Sequence, residues 1–242
     1  MGDKHDFERA ERSPDFERRW LAKLHRRLME KAGQEVADVV LEGAEDLSSE
    51  SEGLEVIEWT CSAMDRLDDL LEEETRNEVL TGCACQYPRE RLEEIRKVYA
   101  ETGDLALVHG MLQKQFLETT RGFLGLDEGQ MEDIQRMGWG VAGVREGDRI
   151  IATKMPFRFH EFFEVENPTE RRYQFCHCPR VREMIREGDE RLSATYCYCG
   201  AGFYKGIWEH ILGRPVRVEV LESVLQGDDL CKIAVHLPPD AV

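Results

Sequence analysis

The stretch Gly138 to Thr153, GWGVAGVREGDRIIAT, is where the period of the chain changes. Upstream, apolar residues recur at helical spacing; from here on they alternate in twos. Val141 to Val144 and Ile150 to Thr153 read as strands, with Glu146-Gly147-Asp148 as the hairpin turn between them. Helices before this point and antiparallel strands after it predict an α+β fold: a helical N-terminal half followed by an antiparallel sheet with packed helices.

Toward the N-terminus, Phe16, Trp20, Leu21, Leu24 and Leu28 follow Ser13 and Pro14, which suit an N-cap and a first-turn proline. Ile57, Cys61, Met64, Leu67 and Leu71 stripe a helix expected from about Leu54 to Leu80. Leu92, Ile95 and Tyr99 mark a helix over Arg89 to Ala100, with Gly103 as its stop and Asp104 as the next N-cap. Leu105, Val108, Met111, Leu112 and Phe116 carry that next helix. Asp127 with Gln130 has the form of a capping box opening a helix to about Met137.

Toward the C-terminus, Phe157, Phe159, Phe162 and Phe163 suggest a strand. Tyr173, Phe175 and His177, alternating with Gln174, Cys176 and Cys178, suggest another, ended by Pro179. A short helix is expected over Val181 to Arg186 and a longer one over Cys199 to Leu212, closed by Gly213 and Pro215. Val216, Val218 and Val220, then Cys231, Ile233, Val235 and Leu237, read as the last strands. The division expected is a helical region over 1–138, with a polar linker at 46–53, and a Cys-rich α/β ligand- and metal-binding domain over 139–242.

The chain has 242 residues, 41% hydrophobic and 33% charged, enough to bury a real core. Its 32 Lys and Arg against 49 Asp and Glu give a formal charge of −17, which repels phosphate backbones and argues against nucleic acid or a membrane surface as partner. No apolar run approaches a membrane span, and Met1 to Arg19 has no signal-peptide core, so the expected compartment is the cytoplasm. The helical first half is a candidate for pairing into a homodimer.

There, eight cysteines point to metal ligands or reactive thiols before disulfides. Six form Cys-x-Cys pairs: Cys83/Cys85, Cys176/Cys178 and Cys197/Cys199. On a strand, Cys176 and Cys178 would share a face. Cys197 and Cys199 fall at a helix N-terminus, whose partial positive charge favours thiolate. Two such pairs can supply tetrahedral zinc; the usual iron–sulfur spacings are absent. Cys231 reads either as a core cysteine or as a further ligand, and Cys61 as core. The candidate metal ligands are Cys176, Cys178, Cys197, Cys199 and Cys231.

His177, beside two of these thiols, is the candidate acid–base group. Phe159, Tyr204 and Trp208 are candidates to line an apolar pocket for a small molecule. No Walker loop, dinucleotide fingerprint, nucleophile elbow or HExxH is present.

Cys197-Tyr198-Cys199-Gly200-Ala201-Gly202-Phe203-Tyr204, Gly213-Arg214-Pro215-Val216, Glu222-Ser223 and Gly227-Asp228-Asp229-Leu230-Cys231 carry a resemblance. Over about Phe175 to Leu237 the chain resembles the 4-vinyl-reductase-type domain, which shares a fold with Golgi transport and haem-based nitric-oxide sensing proteins. It also resembles the L-2-amino-thiazoline-4-carboxylic acid hydrolase-like family. The resemblance implies an α/β domain with a small-molecule pocket and, often, a bound zinc. By position, Cys178, Cys199 and Cys231 match the zinc ligands of that pattern. Where the pattern usually has a cysteine near Ser223 this chain has serine, and its extra Cys176 and Cys197 are candidates to take that place. The function expected is small-molecule binding beside a Cys-rich zinc site. The alternatives are hydrolysis of a sulfur- or nitrogen-containing ring through a thiolate or metal-bound water, and thiol redox or metal handling.

Overall fold

The computed structural model of the chain describes residues 14–47, 53–189 and 191–239; the Ser13 cap, the Phe16 side chain and residues 48–52 of the expected linker lie outside the described residues. Helix α1 (Pro14–Lys31) buries Trp20, Leu24 and Leu28, one residue per turn along a single stripe. Gly33, at φ 86°, turns the chain into α2 (Gln34–Val40). Helices α3 (Gly53–Leu70) and α4 (Glu73–Thr81) replace the single helix expected over 54–80. The break falls at Glu72, which is extended at φ −63° and ψ 151°. Arg76 donates to the carbonyls of Asp68 and Leu71, at 3.3 Å each, and so satisfies the orphan acceptors at the end of α3.

Helix α5 (Glu93–Thr102) ends on Gly103 at φ 64°, and the Asp104 carboxylate accepts from the Leu107 N–H at 2.9 Å to open α6 (Leu105–Leu124). The Asp127/Gln130 capping box forms with both of its bonds and starts α7 (Glu128–Arg136). The hairpin follows as β1 (Val144–Glu146) and β2 (Arg149–Thr153); the first strand begins at Val144, where the expected Val141 to Val144 strand ends, and Glu146 joins it, leaving Gly147-Asp148 as the turn. With β3 (Arg217–Glu222) and β4 (Lys232–His236) they make an antiparallel sheet in the order β1-β2-β4-β3. The fold is therefore α+β, helical first and sheet-bearing second.

Two expected strands are helices instead. Phe159, Phe162 and Phe163 sit three and four residues apart, so they share one face of a short helix, α8 (Phe159–Glu164). Next, Asn167 caps α9 (Pro168–Phe175): its side chain accepts from the Glu170 N–H at 3.0 Å, and Pro168 occupies the first turn, where no N–H is missed. Pro179 then opens α10 (Pro179–Glu187) in the same way and holds the residue before it, Cys178, extended. Only Cys176 to Cys178 remain as an extended connector, so the alternation over 173–178 came from a helix end and a link, not from a strand.

Helix α11 (Tyr198–Leu212) covers one face of the sheet. Its Tyr204, Ile207, Trp208 and Ile211 pack in one core with Ile150, Ala152, Ile233 and Val235 of the strands and with residues of α5 and α6. A second core joins α1, α3 and α4 to α8, α9 and α10, and takes in Tyr196, Val224 and Cys231. Both cores thus draw on chain from before and after Gly138. Among the described residues no helix is long and apolar enough to cross a membrane.

Candidate functional site

Three segments carry the five candidate cysteines, and Cys176, Cys178, Cys199 and Cys231 lie in or against the second core. The α9–α10 connector brings Cys176 and Cys178, and backbone bonds pin it: Phe157 N–H donates to Phe175 O at 3.1 Å and Arg158 N–H to Gln174 O at 3.0 Å. A 3₁₀ turn (Ala194–Cys197) runs straight into α11, placing Cys197 at the helix cap and Cys199 in its first turn. Cys231 sits just ahead of β4, where its carbonyl accepts from the Lys154 N–H at 3.0 Å. Lys154 itself follows β2, the central partner of β4. Cys176 and Cys231 are buried, and Cys178, Cys197 and Cys199 partly so; all eight cysteines of the chain are free thiols.

Charge ties the cluster together. Burial alone would lower the Lys154 ammonium, but the negative charge that the sulfurs of Cys231, Cys176, Cys197 and Cys178 carry once ionised shifts it above its ordinary value. The thiols are pushed the other way. Burial raises Cys199 to about 11 and Cys197 to about 12, and raises Cys176 and Cys231 as well. The partial charge of the α11 N-terminus does not win: buried next to one another, these sulfurs rest as neutral thiols at neutral pH.

Polar partners fix the individual sulfurs. Cys197 Sγ lies 3.0 Å from the Oγ of Ser223, which is fully buried. Cys178 Sγ donates to the Tyr196 hydroxyl at 3.5 Å, which also accepts from Arg180 at 2.7 Å. Arg180 is held by Glu17 of α1 and lies 4.4 Å over the Trp20 ring, so α1 closes this side of the cluster. Cys83 is buried after α4, its thiol donating to Val79 O at 3.4 Å, and electrostatically it neighbours Cys199; Cys85 nearby is exposed. Cys61 is buried on α3 in the helical core.

The other sequence candidates fall elsewhere. His177 is anchored on the backbone, with Nε2 donating to Met155 O at 2.8 Å; burial, and then the Lys154 charge, depress it to about 3. It is a neutral, anchored ring and does not titrate near neutrality. Phe159 belongs to one core, against Trp139, while Tyr204 and Trp208 belong to the other. At 8%, 3% and 0% exposure the three do not line a shared opening. Lys154 and Tyr196 escaped the sequence reading, because a single lysine or tyrosine carries no spacing signal.

Among the described residues no three Cys, His, Asp or Glu side chains are placed to hold a metal ion. The donor chemistry nevertheless fits a soft dication: thiolates for ligands and a buried ammonium to offset their charge. A family of unknown function (DUF6144) matches residues 161–240, the part of the chain that carries all five candidate cysteines. No curated protein and no solved structure matches the chain.

Proposed function

We propose that the chain is a binding protein, not a catalyst, whose cysteine cluster takes up a thiophilic dication, zinc first. The observation that carries this is that Cys176, Cys178, Cys197 and Cys231, from three separate segments, all lie close enough to Lys154 to bear on its charge, with Cys199 two residues from Cys197. Cysteine is costly to gather without a use for its sulfur, and four thiolates satisfy zinc completely. Ser223 sits against Cys197, so Cys197 is the natural occupant of the position where the 4-vinyl-reductase-type pattern has its cysteine. With Cys178, Cys199 and Cys231 it forms our preferred ligand set, and Cys176 stands beside them. When bound, the ion would supply a cross-link between three chain segments.

Catalysis has less support. His177 is locked in its neutral form, which leaves the hydrolytic alternative without a proton carrier next to the thiols.

Uptake must displace protons from thiols that burial keeps protonated, and must draw the sulfurs inward. The test is metal content and thiol reactivity of tag-free protein purified without oxygen. About one zinc per chain is expected, with about four thiols shielded until a chelator is added. Cys178→Ser, Cys199→Ser and Cys231→Ser should each lose the ion, and Cys61→Ser should keep it. Protein that takes up no zinc from excess, or that holds it equally well in all four variants, would sink the proposal.

A further inference from the structure

Away from the thiols, the fold gathers charge of the opposite sign to its surface. Where α1, the turn after α4, the start of α5 and the outer face of α11 meet lies a cleft of about 410 Å³. Its walls carry Arg26, Arg27, Arg89, Arg96 and Lys205, together with His210. In a chain with a formal charge of −17, five permanent cations around one opening is a marked reversal.

The cations are not all answered. Arg26 and Arg27 share Glu30, at 3.9 and 2.7 Å. Lys205 pairs with Glu209 at 3.3 Å, and His210 with Glu93 at 3.0 Å. The guanidinium groups of Arg89 and Arg96 have no hydrogen-bond or ion-pair partner among the described residues. The Nε of Arg27 is buried and likewise lacks an acceptor. Arg27 lies against Gly82: a Cβ there would stand 2.0 Å from this atom, so a larger residue would make the Arg27 side chain move. The field reaches beyond the cleft. The Glu78 carboxyl is held below its ordinary range, chiefly by Lys31, with Lys205 and Arg27 adding to it.

We propose that this cleft binds a small phosphorylated compound, its phosphate taken by Arg27, Arg89 and Arg96. Arg89 and Arg96 leave two positive charges open, the charge of a phosphate monoester dianion; one carboxylate would answer only one of them. Guanidinium forks match phosphate oxygens in pairs, where an ammonium offers a point charge. The volume is that of a small-ligand site, and the acidic surroundings turn away a polyanionic nucleic acid. This site does not depend on the thiol cluster or on zinc.

The experiment is calorimetric titration of the full chain with inorganic phosphate and with pyrophosphate at fixed ionic strength. Saturable binding is expected, weakened roughly tenfold or more in the Arg89→Ala/Arg96→Ala double variant. Both arginines are exposed, so the double variant should melt where the parent does when no anion is present. Arg89→Lys/Arg96→Lys should recover only part of the affinity, because it restores charge without the forks. Lys114→Ala, in the separate groove between α6 and α7, should bind as the parent does. No saturable heat, equal binding by the double alanine variant, or a response that chloride reproduces at equal ionic strength would each overturn the site. Citrate binding as tightly as pyrophosphate would overturn phosphate as the ligand class.

Discussion

Four thiols and one ammonium bear on one another's charge at the centre of the cluster, and the state of each sets the cost for the others. With the thiols neutral, Lys154 is a buried cation with little to answer it; with four of them ionised around a dication, the excess negative charge needs it. Replacing it by methionine keeps an unbranched apolar stem and removes that compensation. Lys154→Met should therefore weaken zinc binding by roughly 10-fold to 100-fold, as losses outside the ligand shell commonly do. A competition titration with a chelator of known affinity measures this, and an unchanged affinity would show that the ammonium plays no part. Ser223 is a second residue to probe. Its buried Oγ meets Cys197 and accepts from the Leu225 N–H at 3.2 Å, so Ser223→Ala should cost about 1–3 kcal/mol in urea denaturation. His177 carries a pH dependence. Its folded value near 3 lies below the ordinary 6.5, so the unfolded chain binds the extra proton between those limits. Stability of the zinc-free protein should be full above about pH 6.5 and fall as pH drops toward 3. His177→Gln should flatten that slope in denaturation series run at several pH values; an unaltered slope would place the titrating group elsewhere.

At the scale of elements, contact distances set which changes α11 tolerates. A Cβ on Gly202 would come within 2.0 Å of the Thr81 carbonyl, a backbone atom at the end of α4 that cannot step aside. Gly202→Ala should push the two helices apart and destabilise by about 1–3 kcal/mol or more. Gly206, one turn on, faces only the Gln86 side-chain oxygen at 3.3 Å, the end of a flexible chain. Gly206→Ala should be neutral or stabilising by up to about 1 kcal/mol, because it raises helix propensity. Thermal melts of the pair check the contrast, and equal melting points would deny the close α4–α11 approach.

The elements most legible in the sequence were those whose ends carry their own chemistry. The Asp127/Gln130 box, the Gly103–Asp104 junction and the Gly213 stop all formed as their side chains dictate, and the hairpin turned at Gly147-Asp148, inside the expected Glu146–Asp148 stretch. Alternation without such signals misled. Over 173–178 the two prolines, each suited to a first helical turn, outweighed a period of two that spanned a junction. The convergence of Cys176, Cys178, Cys197, Cys199 and Cys231 could be suspected from spacing. The lysine at its centre could not, because its place depends on the register of β2 against β4.

For the whole molecule, an excess of negative charge works against compactness. Raising ionic strength from about 0.01 M to about 0.15 M shortens the screening length from about 30 to about 8 Å. The melting temperature should rise over that range by a few degrees, and a flat or falling trend would mean that ion pairs outweigh self-repulsion. The same balance makes the arginine cleft conspicuous, since its field stands against that of everything around it.

The clasp that α1 makes on the thiol region bears on how the protein is made. Glu17 and Arg180 are 163 residues apart in sequence, and Trp20 completes its packing against Tyr196 and Arg180. A ribosome delivers the first partner long before the second. α4 can cover part of the α1 stripe early, but the indole of Trp20 must wait, open to solvent or to a chaperone, until α10 and the 3₁₀ turn have emerged. Closure of this region is thus a late event of synthesis, and its pace is set by a long-range contact and not by the readiness of any one helix to form.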